Sequence, residues 1–185
     1  MKIYFTASAR GKNLYGESYK KIFYLIEKLG HKNLDDLVLK IDPKEFYLGD
    51  QRDRENLYNR AMIKIRNADM VVLEVSIPSL SMGFVMEKSL ARGKPVVALY
   101  SDGLNPYFAD GIRDKRLQVL PYTLGDISDT LKFAIEEAEE LMESRFTMIL
   151  SPEEKKYLDK IAKTGKTRSE YIRDLIAKDM KAREK

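Results

Sequence analysis

Nine residues, Ala68-Asp-Met-Val-Val-Leu-Glu-Val-Ser76, most constrain what this chain can become. They are a nearly unbroken run of apolar β-formers, the pattern of a strand covered on both faces. A strand of that kind needs helices above and below it, and the flanking segments have the periodicity to supply them. Upstream, Lys2–Ser8 is a short apolar strand ending at Ser-Ala-Arg-Gly. A helix follows whose stripe is Tyr19, Ile22, Phe23, Leu25, Ile26 and Leu29, with Gly30 as its stop. A second helix is predicted over Arg54–Asn67 and a third over Gly83–Arg92, ending at Gly93-Lys94-Pro95. Val96–Tyr100 and Leu117–Leu120 read as further strands, and Asp36–Ile41 as an edge strand. The alternation predicts an α/β fold, a Rossmann-like parallel sheet with flanking helices.

Composition removes several chemistries. The chain has 185 residues, 44% hydrophobic and 34% charged, enough for a packed core and incompatible with wholesale disorder. It contains no cysteine, which excludes disulfides, thiolate metal sites and cysteine nucleophiles. A single histidine, His31, excludes a multi-histidine zinc site. No metal and no cofactor are expected. No apolar run approaches the roughly 20 residues of a membrane span, and the start, MKIYFTASAR, lacks a signal-peptide core. The expectation is a cytoplasmic protein with no membrane partner.

The charge is unevenly placed. Residues 145–185 carry 12 of the 33 basic and 7 of the 29 acidic residues, a local charge of +5, while residues 1–144 carry −1. A near-neutral body with a basic tail points to a polyanion partner for the tail. Just before the reversal, Ile127–Ser144 has helical spacing, with Leu131, Ile135, Ala138 and Met142 apolar and a Glu-rich outer face. The domain boundary is placed there, giving domains 1–144 and 145–185.

In open α/β sheets ligands bind beyond the carboxyl ends of the strands. Two polar turns fall there: Ser8-Ala9-Arg10-Gly11, and Ser76-Ile-Pro-Ser79-Leu-Ser81-Met-Gly83. Each leads into a helix start, where unpaired N–H groups favour an anion. Arg10 adds a fork of donors and Ser8 and Ser79 add hydroxyls, so together they predict a phosphate pocket.

Tyr4-Phe-Thr-Ala-Ser8-Ala9-Arg10-Gly11, together with Ala68–Ser79 and Leu80-Ser81-Met-Gly83-Phe84, resembles the nucleoside 2-deoxyribosyltransferase superfamily. The likeness is greatest to its 2'-deoxynucleoside 5'-phosphate N-hydrolase branch, and runs on through Ala91-Arg-Gly-Lys-Pro95 to Ile112-Arg113. The resemblance implies a site for a nucleoside 5'-monophosphate. Its phosphate would be held by the turn Ser8, Ala9 and Arg10 and by Ser79, with Tyr4 near the sugar and Ser81 and Gly83 among the nucleotide-binding residues. It also implies a nucleophilic Glu just after the Gly-aromatic pair and an assisting Asp on the preceding helix. Those positions hold Val85 and Ala61, and Ala109 stands where a phosphate-binding Ser is expected. Valine offers no lone pair. Glu87 is two helical steps from Val85, a turn of roughly 200° onto the opposite face. The expectation is a pseudoenzyme, with no catalytic residue, that binds a nucleotide.

The last forty residues have their own pattern. Arg145–Leu150 alternates, with Phe146, Met148 and Leu150 on one face and Arg145, Thr147 and Ile149 on the other. Ser151-Pro-Glu-Glu154 and Thr167-Arg-Ser-Glu170 are capping boxes that open two helices. The inward residues would be Tyr157, Leu158 and Ile161, then Tyr171, Ile172, Leu175, Ile176 and Met180. A unit this small needs a second copy to complete its core. Residues 145–182 resemble a ribbon-helix-helix domain of the Arc/MetJ/CopG type, a β-α-α dimerisation domain. That resemblance implies that Arg145, Thr147 and Ile149 read base edges in the major groove of double-stranded DNA. Lys166, Thr167, Arg168 and Ser169 would clamp a backbone phosphate.

The combined expectation is a DNA-binding transcriptional regulator, a homodimer or higher even oligomer, sensing a nucleoside 5'-monophosphate through a catalytically degenerate domain. The alternatives are an active nucleoside 5'-monophosphate N-glycosidase or deoxyribosyltransferase with a DNA-binding tail, an antitoxin-type repressor, and a scaffold.

Overall fold

Every strand of the sheet runs in the same direction, in the order β2-β1-β3-β4-β5. The computed structural model describes residues 1–101, 103–142, 148–163 and 165–183. In chain order the elements of the first unit are β1 (Lys2–Ala7), α1 (Lys12–Lys28), β2 (Lys32–Asn33), α2 (Leu37–Lys40) and α3 (Gln51–Asn67). There follow β3 (Met70–Glu74), α4 (Leu80–Leu90), β4 (Val96–Ser101), α5 (Tyr107–Asp110), β5 (Leu117–Tyr122) and α6 (Ile127–Glu140). The second unit holds α7 (Pro152–Ala162) and α8 (Arg168–Arg183). The chain divides into two compact units, Met1–Glu143 and Ser144–Lys185.

β3 is the centre of the sheet, hydrogen-bonded to β1 on one side and β4 on the other, and all five of its residues are buried. Alternate residues of each strand point to opposite faces. Ile3, Phe5, Val72, Val97 and Leu99 meet Tyr19, Ile22 and Ile26 of α1 and Leu131 and Ile135 of α6. Tyr4, Val71, Leu73, Val96 and Ala98 meet Ile65 of α3 and Met82, Val85, Met86 and Leu90 of α4. The fully buried β3 is therefore the strand that both helical layers share.

The helix ends follow local chemistry. Asp50 caps α3 in a reciprocal box with Asp53, which starts the helix at Gln51, three residues before the sequence expectation. Gly30 adopts φ 86°, the left-handed conformation that lets the chain leave α1. Ser79 stands in extended geometry before α4, so that helix begins at Leu80 rather than Gly83.

Residues 31–50 differ from expectation. Asp36–Ile41 is no strand; Leu37–Lys40 is a single helical turn, and the edge position is taken by the two-residue β2, in register with Lys2 and Ile3. Asp35 accepts the Leu37 N–H at 3.0 Å, which turns the chain out of the sheet plane there.

In the second unit α7 opens with the Ser151–Glu154 box, and α8 follows a Thr167–Glu170 exchange of the same form. Leu158 is buried, and Tyr157 and Tyr171 meet edge to face with their hydroxyls 2.9 Å apart. Met148, Ile149 and Leu150 form no strand. A β-segment needs a ladder partner. Among the described residues of this unit there is none. Among the described residues no helix is long and apolar enough to cross a membrane.

Candidate active site

Ala7, the last residue of β1, is in register with Glu74, the last of β3, so the two turns predicted from sequence leave the sheet side by side. The first crosses closely over the second: a Cβ on Gly11 would lie 3.0 Å from Ile77 Cγ1 and 2.2 Å from the Tyr19 hydroxyl. Only glycine leaves that space. Ser8 is buried, and its carbonyl accepts from the Gly11 N–H at 3.0 Å and from the Tyr19 hydroxyl at 3.1 Å. Its side chain caps no amide, nor does that of Ser79. Ala9 is buried, while Arg10 is exposed with its guanidinium 5.0 Å from the Tyr47 ring centre. Tyr4 is buried in the core between sheet and α4. Burial, more than any neighbour, pushes its hydroxyl up to about 12; Thr6 opposes the shift and Asp35 adds to it.

A cavity of about 680 Å³ opens between α4 and the segment that carries α5. Of the predicted nucleotide residues, Ser79 and Gly83 line it. Tyr4, Ser8, Ala9, Arg10 and Ser81 share that edge of the sheet but not the cavity wall. Met82, Met86, Tyr107 and Phe108 give the cavity an apolar wall, and Glu87 is the carboxylate on it. Val85 and Ala61, at the positions where the resemblance places carboxylates, do not line it. Val85 is packed in the core with Ile65 and Ala68. Ala109, at the expected Ser position, does line it and brings no hydroxyl. The helical wheel separates Glu87 from Val85 as expected, but the open side of α4 is the one bearing Glu87.

Two further polar clusters gather side chains from separate elements. Asp35 is buried just beyond β2, and Arg60 of α3 grips it, Nε to Oδ2 at 2.7 Å and Nη2 to Oδ1 at 2.5 Å. Burial alone would raise the Asp35 carboxyl; the Arg60 fork and the Leu37 N–H outweigh it and hold the group below its ordinary value. Beneath the two turns, Glu74 is fully buried. Its Oε1 accepts from the Ser76 hydroxyl and from the Tyr122 hydroxyl at 3.0 Å, while Oε2 has no hydrogen-bond partner. Burial raises this carboxyl against the effect of its hydroxyl donors. Both clusters join residues far apart in sequence, so only the fold reveals them. Among the described residues no three acidic or histidine side chains gather as a metal site.

The residues expected to contact DNA lie in the second unit. Arg145 and Thr147 are outside the described residues. Ile149 is 98% exposed in irregular chain rather than in a ribbon. Lys166 pairs with Asp174 and Arg168 with Asp159, so the two cations of the expected phosphate clamp already have carboxylate partners. Thr167 caps α8 and Ser169 is exposed.

The parallel five-stranded sheet, with its two turns at the carboxyl edge, defines an open α/β protein whose ligand edge lies beyond β1 and β3. A solved structure of a Clostridium botulinum CMP N-glycosidase, BcmB, shares this fold with a TM-score of 0.54 and 13% identity, over 72% of this chain and 98% of that one. No protein-family model matches the chain. Over 103 residues the chain is 34% identical to the Syntrophotalea carbinolica protein named "Putative 2'-deoxynucleoside 5'-phosphate N-hydrolase 1", covering 56% of this chain and 70% of that protein. A Thermofilum pendens protein of the same name is 35% identical over 107 residues, 54% of this chain and 67% of the relative. A Mus musculus 5-hydroxymethyl-dUMP N-hydrolase is 31% identical over 101 residues, 53% of this chain and 56% of the relative. The chain belongs to the 2'-deoxynucleoside 5'-phosphate N-hydrolase family.

These relatives overturn the expectation of a transcriptional regulator with a spent nucleotide domain. They are N-hydrolases by name, and family membership with them points to an enzyme. The expectation rested on Val85 and Ala61; Glu87, expected on the face of α4 opposite Val85, is the carboxylate that lines the cavity.

Proposed function

We propose that the chain is a nucleoside 5'-monophosphate N-glycosidase, cleaving the bond between base and sugar with water. The observation that carries this reading is family membership across the unit that holds both sheet-edge turns. In it, the 5'-phosphate lies at Ser8–Arg10 and Ser79, where serine hydroxyls cap nothing and Arg10 adds charge. The base and sugar enter the cavity along Met82, Met86, Tyr107 and Phe108, a wall suited to a flat ring. Glu87 supplies the carboxylate that positive charge developing at the anomeric carbon requires, since Val85 and Ala61 supply none. Asp35, held in the Arg60 fork, is the poorer nucleophile because its lone pairs are engaged.

The experiment is incubation with dCMP, dUMP, CMP and 5-hydroxymethyl-dUMP, with free base resolved by chromatography. The expected result is base release that Glu87→Gln abolishes; no free base from the native protein at any substrate overturns the reading. The pattern of residues 145–182 supports a second element of the proposal, a ribbon-helix-helix unit that pairs two chains. Leu175, Ile176 and Met180 of α8 are 47–58% exposed in the single chain, apolar surface that a second copy would cover. A dimer by light scattering, dissociated by Ile176→Glu, is the expected outcome.

A further inference from the structure

The Glu74 cluster joins side chains from the turn after β3, the end of β5 and α1. From Oε1 the contacts run to Ser76, whose Oγ accepts the Ser101 N–H at 2.7 Å, tying the turn after β3 to the end of β4. The Tyr122 hydroxyl at 3.0 Å adds the end of β5. On the other side, the Tyr19 hydroxyl acts on the Glu74 carboxyl while donating to Ser8 O at 3.1 Å. That same hydroxyl occupies the space a Gly11 side chain would need. Glu74 Oε2, fully buried, is the one carboxyl atom without a partner.

We propose that Glu74 is a positioning residue whose buried carboxyl braces the Ser8–Gly11 turn and the Ser76–Ser79 turn in a single arrangement. In its neutral form the carboxyl carries the proton on Oε2, the oxygen without a partner, and the Tyr19 proton stays directed at Ser8 O. Oε1 remains the acceptor for Ser76 and Tyr122. When the proton leaves to solvent, Oε2 becomes a buried anionic acceptor, a costly state unless a donor turns to it. The Tyr19 hydroxyl, which already acts on this carboxyl, is the donor that turns to Oε2; it then releases Ser8 O, and the first turn loses its anchor.

The groups facing Glu74 are hydroxyls: Ser76 beyond its own strand, Tyr19 from α1 and Tyr122 from β5. Its register neighbours on β1 and β4 are Ala7 and Leu99, and the groups that chiefly act on it are hydroxyls and one backbone N–H rather than Lys or Arg. Burial agrees with the raised carboxyl. A folded value above the unfolded one means that the Glu74 contribution to stability is complete at low pH. It is lost as pH rises through the folded value.

The consequence for ligand binding rests on the proposed phosphate site, but the brace can be read without ligand. In the full chain, the amide resonances of Gly11 and Ser101 should shift together with one midpoint above the ordinary carboxylate range. They should not move in that range in Glu74→Gln, and Tyr19→Phe should uncouple Gly11 while Ser101 still follows. Infrared difference spectra should lose a protonated-carboxyl band in Glu74→Gln. Separate midpoints, a common midpoint in the ordinary range, or shifts unchanged in Glu74→Gln overturn the brace. In the ligand arm, dUMP affinity of the native protein should fall about tenfold per pH unit above that midpoint. Glu74→Gln, measured in the same buffers so that phosphate titration is common to both, should lack this fall. Equal pH profiles for the two proteins overturn the positioning role. Absence of dUMP binding at every pH, with the linked amide shifts intact, sinks the nucleotide site and leaves the brace standing.

Discussion

The two units of this chain solve the same problem differently. In the first, α1 and α6 turn their apolar stripes onto one face of the sheet and α3 and α4 onto the other. The strand residues between them are almost wholly excluded from water. In the second, α7 buries Leu158 while α8 leaves Leu175, Ile176 and Met180 about half exposed. An α/β layer of about 140 residues closes its own core, whereas two short helices have too little surface to do so. The difference teaches that hydrophobic periodicity shows which face of a helix is to be covered, but not whether the cover comes from the same chain.

The sharpest way to break this contrast is to delete methyl groups in each unit. Leu99→Ala, at a site with no solvent exposure, should cost about 2–5 kcal/mol in a denaturant titration. Leu175→Ala in dilute protein should stay within about 0.5 kcal/mol. Equal losses would mean that α8 already has its core. Next in size, Gly11→Ala should cost about 1–3 kcal/mol, because the new methyl collides with the buried Tyr19 hydroxyl. Ser151→Ala, in the second unit, should cost about 1 kcal/mol by removing the cap on the Glu154 N–H, read as lost helicity of α7. The smallest effect is the pH dependence of the Asp35–Arg60 pair. Asp35 is held below its ordinary value, so its contribution is present above the unfolded carboxyl value and lost as pH falls through the folded one. Asp35→Asn should therefore flatten part of the acid limb of the stability curve and leave the neutral region less stable.

Much of the first unit was legible because its signals are local and repeated. The stripe from Tyr19 to Ile26, the apolar run of β3 and the Gly30 stop each appear in the structure where the sequence puts them. The edge of the sheet was not legible. β2 is two residues long and exists through pairing with Lys2 and Ile3, a contact no local pattern encodes. Of the site, the two turns could be placed at the sheet edge from strand order alone. The cavity could not, because one wall of it is α5, a four-residue turn with no buried residue that the chain places opposite α4 after β4.

By itself, the sequence determined the parallel α/β layering, the helix caps and the family to which the chain belongs. Those follow from residue periodicity and from side chains bonding to backbone within four positions, interactions that need no distant partner. Only the tertiary structure decided that Val85 faces the core while Glu87 faces the cavity, that Arg60 locks Asp35, and that Glu74 joins Ser76, Tyr122 and the turn at Ser8. Burial and unpaired lone pairs are properties of a place in the fold, and a carboxylate acquires its chemistry from what surrounds it there.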